Sequence, residues 1–453
     1  MEFYYIYTYG CQMNVHESEK IAGMLEELGY KETKDVQQAS IFVFNTCCIR
    51  KAAEQKAEGN IGALKQLKKK NPNIIIAVGG CMTQQENRAE ELKNEFPFIN
   101  IIFGTHNLYK FKEYLVEYKK EHKNRIDVWK QDNIMPEEYK SYRTSGYNAW
   151  VNISYGCNNY CTYCIVPYVR GRERSRPFDQ IVEECRELVK EGYKSITLLG
   201  QNVNSYGNDL HDERYTFSKL LTEIANIEGD FVLKFMTSHP KDLSSEVIDT
   251  IRDNPKIARQ IHLPVQSGSN EILKAMNRRY TVEKYKSLID EIKQKIPNVS
   301  LSTDIIVGFP GETEEDFQKT VDLIKYVRYN NIFAFMYSKR SGTIAERMEN
   351  QIPQTVKNQR VNFLLNLQKE IAKEDLPKIV GTIQRTLISH KKAGKVIGVT
   401  DCGKTIIIEN TTDKTLRYES VLITKIEGNQ IYGEIKRWNF SNDSAISWHE
   451  GEE

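Results

Sequence analysis

The sequence predicts an α/β protein of three modules: an N-terminal doubly wound parallel sheet, a central open (β/α)6 barrel and a small C-terminal β-barrel. Three observations carry this. Short apolar runs alternate with helical patterns from residue 1 to 118 and again from 148 to 376. From 377 to 440 the pattern turns to closely spaced strands with glycine turns. Most of the cysteines fall just behind predicted strands, on the rim where parallel sheets bind ligands.

The 453 residues suit several domains, and 40% hydrophobic with 27% charged residues is a balance that can bury a real core. A net charge of +2 does not by itself announce a nucleic-acid binder. Met1-Glu2-Phe3-Tyr4-Tyr5-Ile6 has no basic region or long apolar run, so it does not read as a signal peptide. No stretch approaches the ~20 apolar residues needed to span a bilayer. The expectation is a cytoplasmic monomer without membrane contact. Nine cysteines cannot all pair, and in a reducing compartment they are more often metal ligands or catalytic groups than disulfides.

In the first module, residues 3–8 alternate as a strand and Tyr9-Gly10-Cys11 breaks the run. A helical pattern covers Val15 to Leu28, with Gly29 as its C-terminal stop. Ile41–Phe44 reads as a buried strand ending in Asn45-Thr46-Cys47-Cys48, and the following helix closes on Lys68-Lys69-Lys70. Ile74–Val78 is a third strand, followed by Gly79-Gly80-Cys81 and a helix over Gln84–Asn94. One cysteine alone at a strand end would be taken for packed core. Three at the same strand-end position should meet on one rim, with Cys47 and Cys48 both open as the second. Residues 119–147 are polar and weakly patterned, as expected of a linker.

In the second module the candidate strands are 149–153, 195–200, 231–236, 259–263, 300–307 and 331–336. Helices separate them, including Phe178–Lys190 and Glu314–Val327, the latter opened by a capping box of Thr313 and Asp316. Cys157, Cys161 and Cys164 follow the first strand as C-x3-C-x2-C. Structural zinc takes four protein ligands, and Trp150 to Arg176 holds no histidine and no fourth cysteine. A 4Fe-4S cluster normally has four thiolates, so three leave one iron open. Gln201 and Asn202 end the second strand and should face the same rim, with loop capping as the plain alternative. Arg170, Arg172, Arg174 and Arg176 alternate beside it, as a solvated face or as phosphate contacts. Cys185 keeps helical step with Ile181 and Leu188 and reads as core, and His239 and His262 as structural.

The third module, 377–440, carries five strand signals. From Lys378 to Arg437 there are eleven Lys/Arg against six Asp/Glu. A small basic β-barrel suggests a nucleic-acid grip, although a structural cap would look similar. Cys402 sits in a turn, and residues 441–453 read as a tail.

The C-x3-C-x2-C spacing resembles that of radical S-adenosylmethionine (SAM) enzymes. Thr8–Asn14, Asn45-Thr46-Cys47, Gly79-Gly80-Cys81-Met82, the central motif through Arg170-Gly171-Arg172, His262–Ser269 and Thr303–Thr313 together resemble the methylthiotransferase family of that superfamily, over nearly the whole chain. Leu199–Tyr206 and the Gln266 segment are most similar to the branch acting on dimethylallyl-adenosine in tRNA. Cys48 departs from the family, which has a small polar residue there.

The resemblance implies two 4Fe-4S clusters, a SAM-cleaving one on Cys157, Cys161 and Cys164 and an auxiliary one on Cys11, Cys47 and Cys81. It favours Cys47 over Cys48 and puts Tyr163 near the adenine of SAM; from their strand-end place on the rim, Gln201 and Asn202 are expected to bind its amino or carboxylate group. It implies methylthio transfer to carbon 2 of N(6)-dimethylallyladenosine at position 37, in the anticodon stem-loop of tRNA. It further implies a TRAM-like RNA-binding barrel and a low-potential electron donor such as flavodoxin or ferredoxin. The alternatives are the sister activity on threonylcarbamoyl-adenosine in tRNA and a non-catalytic protein binding zinc and RNA.

Overall fold

The computed structural model describes residues 2–49, 51–130, 141–143, 146–392, 395–411 and 416–436. The chain divides into two compact units between Ile371 and Ala372.

The first unit opens with β1 (Phe3–Thr8), α1 (Gln12–Glu27), β2 (Lys31–Glu32), β3 (Ala39–Thr46), α2 (Lys51–Lys70), β4 (Ile75–Gly80), α3 (Arg88–Glu95), β5 (Ile101–Phe103), α4 (Phe111–Glu121) and β6 (Arg125–Asp127). Six parallel strands form one sheet in the order β2-β1-β3-β4-β5-β6. Both faces are covered. Ile41, Val43 and Ala77 pack with Ile21 and Leu25 of α1 and Leu115 of α4. Phe42, Phe44, Ile76 and Val78 pack with Ile61 and Leu64 of α2 and Leu92 of α3. Burial on both faces is why β3 and β4 read as continuous apolar runs without alternation.

The sheet exceeds the three strands expected. Of the expected linker, residues 119–121 finish α4 and 125–127 are β6, the sixth strand. Residues 131–140 and 144–145 of that stretch lie outside the described residues. The helix expected at Gln84 begins at Arg88, after turns.

The barrel follows as β7 (Asn148–Asn152), β8 (Ser154–Tyr155), α5 (Val166–Arg170), β9 (Arg174–Ser175), α6 (Phe178–Lys190), β10 (Ser195–Leu199), α7 (Phe217–Ala225), β11 (Val232–Phe235), α8 (Ser245–Asp253), β12 (Gln260–His262), α9 (Asn270–Ala275), α10 (Val282–Lys295), β13 (Ser300–Val307), α11 (Glu314–Val327), β14 (Asn331–Met336) and α12 (Gln354–Asp375). Its six main strands make two three-stranded parallel sheets, β11-β10-β7 and β12-β13-β14. A bridge from Leu233 to Ile257 leads from the first sheet toward the second. Among the described residues no ladder joins β14 to β7, so the barrel is open. Ile196, Leu198, Ile261 and Leu301 share one core with residues of the surrounding helices. The Thr313 capping box is formed, with Asp316 N–H on Thr313 Oγ1 at 3.1 Å and Thr313 N–H on Asp316 Oδ2 at 3.0 Å. The antiparallel β8–β9 pair has no counterpart in the sequence expectation, because two residues per strand leave no period to read.

The second unit carries β15 (Ile383–Lys392), β16 (Lys395–Thr400), β17 (Thr405–Ile408), β18 (Arg417–Glu427) and β19 (Gln430–Ile435), closed in the order β15-β16-β17-β19-β18. Its core is small and aliphatic, built on Ile388, Val396, Ile406, Val421 and Ile423.

Candidate metal and cofactor site

In the first sheet, Cys11 follows β1 and is the N-cap of α1, Cys47 follows β3, and Cys81 follows β4. Hydrogen bonds carry the strand pairing one step past the strands. Tyr9 N–H donates to Asn45 O and Cys81 N–H to Thr46 O, both at 2.9 Å. Asn14 ties the same loops together, its amide donating to Tyr9 O at 2.8 Å and Thr46 O at 3.0 Å. Gly10 has φ +109°, and a Cβ there would lie 2.5 Å from Cys47 Cβ and 2.7 Å from its Sγ. Only glycine allows the Cys11 loop to lie this close to Cys47.

Cys47 packs with Tyr9 and Met82, and Cys48 with Cys81, Ile165 and Val169. Cys48 shares a hydrogen bond with Cys81, which helps hold the Cys81 thiol down at about 7, whereas burial pushes the Cys11 thiol up. Among the described residues no three His, Cys, Asp or Glu side chains converge as they would on a single metal ion.

The second cysteine set lies in the loop from β8 to α5. Cys157 N–H donates to Gly171 O at 3.2 Å and Cys164 N–H to Cys161 O at 2.9 Å. Thr162 anchors the loop to the end of α9 through Met276 O and Ala275 O. Buried Arg278 donates to Cys161 Sγ at 3.3 Å, to Tyr163 OH at 3.5 Å and to Pro264 O at 2.7 Å. Burial, and then the neighbouring thiols, push Cys164 up to about 12, and burial lifts Cys157 to about 11. Metal binding must therefore displace their protons. Tyr163 is half-buried against the Met276, Phe309 and Tyr337 cluster, beside the loop that ends β13.

Gln201 and Asn202 divide. Asn202 donates to Asp242 Oδ2 at 2.7 Å, within the rim. Gln201 reaches Met13 Sδ of α1 at 2.6 Å, so it joins the barrel to the first sheet. The arginine run also differs from expectation. Arg172 is exposed, but Arg170 and Arg176 are buried. Arg176 pairs with Glu184 at 2.8 Å and Asn152 O at 2.6 Å, and Arg170 with Glu17 of α1 at 2.5 Å. Buried guanidinium groups need such partners, and Glu17 is too far off in sequence for the alternation to reveal it.

Sequence reasoning passed over Glu173, and it used Gln266 only for the family resemblance, with no role at the site. Burial pushes the Glu173 carboxyl up to about 7 against a hydrogen bond from Ser205. Gln266 is buried with φ +72°. Around this rim Asn152 Oδ1, Ser154 Oγ, Gln201 Oε1, Asn202 Oδ1, His239 Nε2 and Gln266 Oε1 are buried with no hydrogen-bond partner among the described residues. Such atoms cost about 1–3 kcal/mol each when unmet. A ligand rich in amine, carboxylate and hydroxyl groups, as SAM is, fits them, and three soft thiolates fit an iron–sulfur cluster.

Two family descriptions match the chain: "Radical SAM superfamily" over residues 151–324 and "Uncharacterized protein family UPF0004" over residues 3–104. Among known proteins, the tRNA-2-methylthio-N(6)-dimethylallyladenosine synthase of Clostridium tetani is 51% identical over 434 residues, 95% of this chain and 96% of that one. The synthase of the same name from Thermoanaerobacter pseudethanolicus is 48% identical, covering 96% and 92%. Among solved structures, the radical SAM methyltransferase TsrM of Kitasatospora setae superposes with TM-score 0.56 at 13% identity when cobalamin and a 4Fe-4S cluster are bound, covering 76% and 74%. With tryptophan and a SAM analogue bound, the score is 0.53 at 14% identity, covering 74% and 73%. These likenesses are of fold alone. The central fold, the open cysteine trio and near full-length identity at about half of all positions lead to one conclusion: the chain belongs to the tRNA-2-methylthio-N(6)-dimethylallyladenosine synthase family of radical SAM enzymes.

Proposed function

We propose that this protein adds a methylthio group to carbon 2 of N(6)-dimethylallyladenosine at position 37 of cytoplasmic tRNAs, using SAM, a 4Fe-4S cluster on Cys157, Cys161 and Cys164, and a second cluster on Cys11, Cys47 and Cys81. Full-length similarity to synthases of that name supports this substrate over threonylcarbamoyl-adenosine. The match to the radical SAM family speaks against the zinc-binding reading. The observation that carries the two-cluster assignment is that each trio lies at the C-terminal rim of its own parallel sheet, within one compact unit.

The bound groups supply a carbon radical strong enough to take hydrogen from an aromatic ring, and the sulfur that replaces it. The chain's own residues do the rest. Gly10, Asn14 and Asn45 hold the Cys11 and Cys47 loops together, and the Thr46 carbonyl takes the Cys81 N–H. Arg278 fixes Cys161 and Tyr163 in one frame. The unmet polar atoms of the rim orient SAM. The second unit, a closed basic β-barrel, grips the phosphates of the anticodon stem, and the splayed adenosine is read as single-stranded RNA is. An electron donor such as flavodoxin or ferredoxin completes the set. No helix among the described residues is long and apolar enough to cross a membrane.

The test replaces each trio with alanine. Without Cys157, Cys161 and Cys164, SAM cleavage should vanish while iron stays on the other set. Without Cys11, Cys47 and Cys81, cleavage should survive and mass analysis of tRNA nucleosides should find the dimethylallyl base without its methylthio group. SAM cleavage that persists in the first variant would overturn the assignment.

A further inference from the structure

Arg170 ends α5, the short helix that leaves the second cysteine loop. Its guanidinium is buried, 6% exposed, and does not turn back into the barrel. It crosses to α1, the helix that starts at Cys11. There it donates to Glu17 Oε1 at 2.5 Å and Oε2 at 3.1 Å, to Asn14 Oδ1 at 3.0 Å and to Met13 Sδ at 3.0 Å. The fork thus pairs both oxygens of one carboxylate, the bidentate geometry that fixes a guanidinium most firmly. Two other residues of the same segment, Ile165 and Val169, pack on Cys48 and Cys81, and Val169 O accepts from Thr105 Oγ1 at 2.5 Å. One short segment therefore leaves Cys164 and lands on the rim that carries Cys11 and Cys81.

We propose that Arg170 is a positioning residue for the N-terminal cluster: it holds a positive charge against the Cys11 and Cys81 side of that cluster, raising its reduction potential, while Glu17 sets the guanidinium's direction and tempers its charge. The inference rests on the two-cluster reading above. Its physical basis is that charge and hydrogen bonds around the sulfurs set the potential of an iron–sulfur cluster. Asn14 Oδ1, which accepts from Arg170 at 3.0 Å, also accepts from Cys11 Sγ at 3.8 Å, and Val169, the neighbour of Arg170, packs on Cys81. A fixed cation here also suits a site that must carry anionic sulfur, since it offsets negative charge in a medium that screens little. Because the same helix begins beside Cys164, the cation's place is tied to the loop holding the SAM-cleaving cluster.

The experiment uses full-length protein carrying C157A, C161A and C164A, so that only the N-terminal set can bind iron. It is reconstituted anaerobically, iron and sulfide are counted, and the reduction potential is followed by electron paramagnetic resonance. Into this background go R170M, R170K and, separately, E17Q. The proposal expects one cluster per chain throughout, a more negative potential in R170M, partial recovery in R170K, and a more positive potential in E17Q, where the cation is left unopposed. Opposite shifts separate an electrostatic role from a loosened interface, which would move R170M and E17Q the same way. An unchanged potential in a loaded R170M, or shifts of one sign in both, overturns the role of Arg170. If R170M takes up no iron, R170K and E17Q decide, and equal potentials in the two overturn it. A background protein that binds no iron overturns the two-cluster reading itself.

Discussion

Glu173 shows how much a single side chain can carry at this rim. Its carboxyl is buried and sits near 7 instead of the usual 4.5, and its Oε1 has no partner among the described residues. A folded value above the unfolded one means that folding favours the protonated form. That contribution is complete below about pH 4.5 and is lost as pH rises through about 7. Glu173→Gln keeps the shape and removes the charge. Without SAM, the variant should be more stable than the unaltered protein at pH 8, by at most about 3 kcal/mol, and equal to it near pH 4.5. Urea unfolding at the two pH values checks this, and parallel curves would mean the carboxylate is already paired. The position was invisible in the sequence for a simple reason. Glu173 stands among four alternating arginines, so it reads as one charge in a solvated run. Cys157, Cys161 and Cys164 stand out in the sequence because three thiols in C-x3-C-x2-C have few other uses.

At the scale of elements, the junction from β1 to α1 matters most. The chain must turn at Gly10 with φ +109° while its α-carbon lies against Cys47. Gly10→Ala meets both obstacles. The backbone alone costs about 1–2 kcal/mol, and the new methyl displaces the Cys47 side chain. The expected result is loss of N-terminal iron with SAM cleavage retained, measured by iron content in the C157A, C161A, C164A background and by cleavage in the otherwise unaltered protein. Full iron in the first would show that the loop can yield. Long elements were readable from their periods, as with α6 over Phe178–Lys190 and α11 over Glu314–Val327. Most short ones were not, β12 at Gln260–His262 being the exception. The strands β2, β5, β6, β8 and β9 span only two or three residues each, too few for a pattern to recur, and exist because neighbours offer them backbone partners.

At the scale of the whole molecule, the sequence suggests three modules in a row; the first sheet and the barrel lie in one compact unit, and the β-barrel has a core of its own. Deleting residues 377–453 should therefore leave iron content and SAM cleavage intact and weaken tRNA binding, with a shallower dependence of affinity on salt as phosphate contacts are lost. Filter binding at several salt concentrations checks this, and undiminished affinity would assign the RNA grip elsewhere. The seam inside the first unit has a further consequence. Glu17 and Arg170 stand 153 positions apart in the chain yet meet directly through two hydrogen bonds. Neither can drift in evolution without the other, because a stranded buried charge costs several kcal/mol. Hybrids that graft the first hundred residues of one relative onto the remainder of another should work only where donor and recipient agree on this couple, so the two halves behave as a single inherited piece.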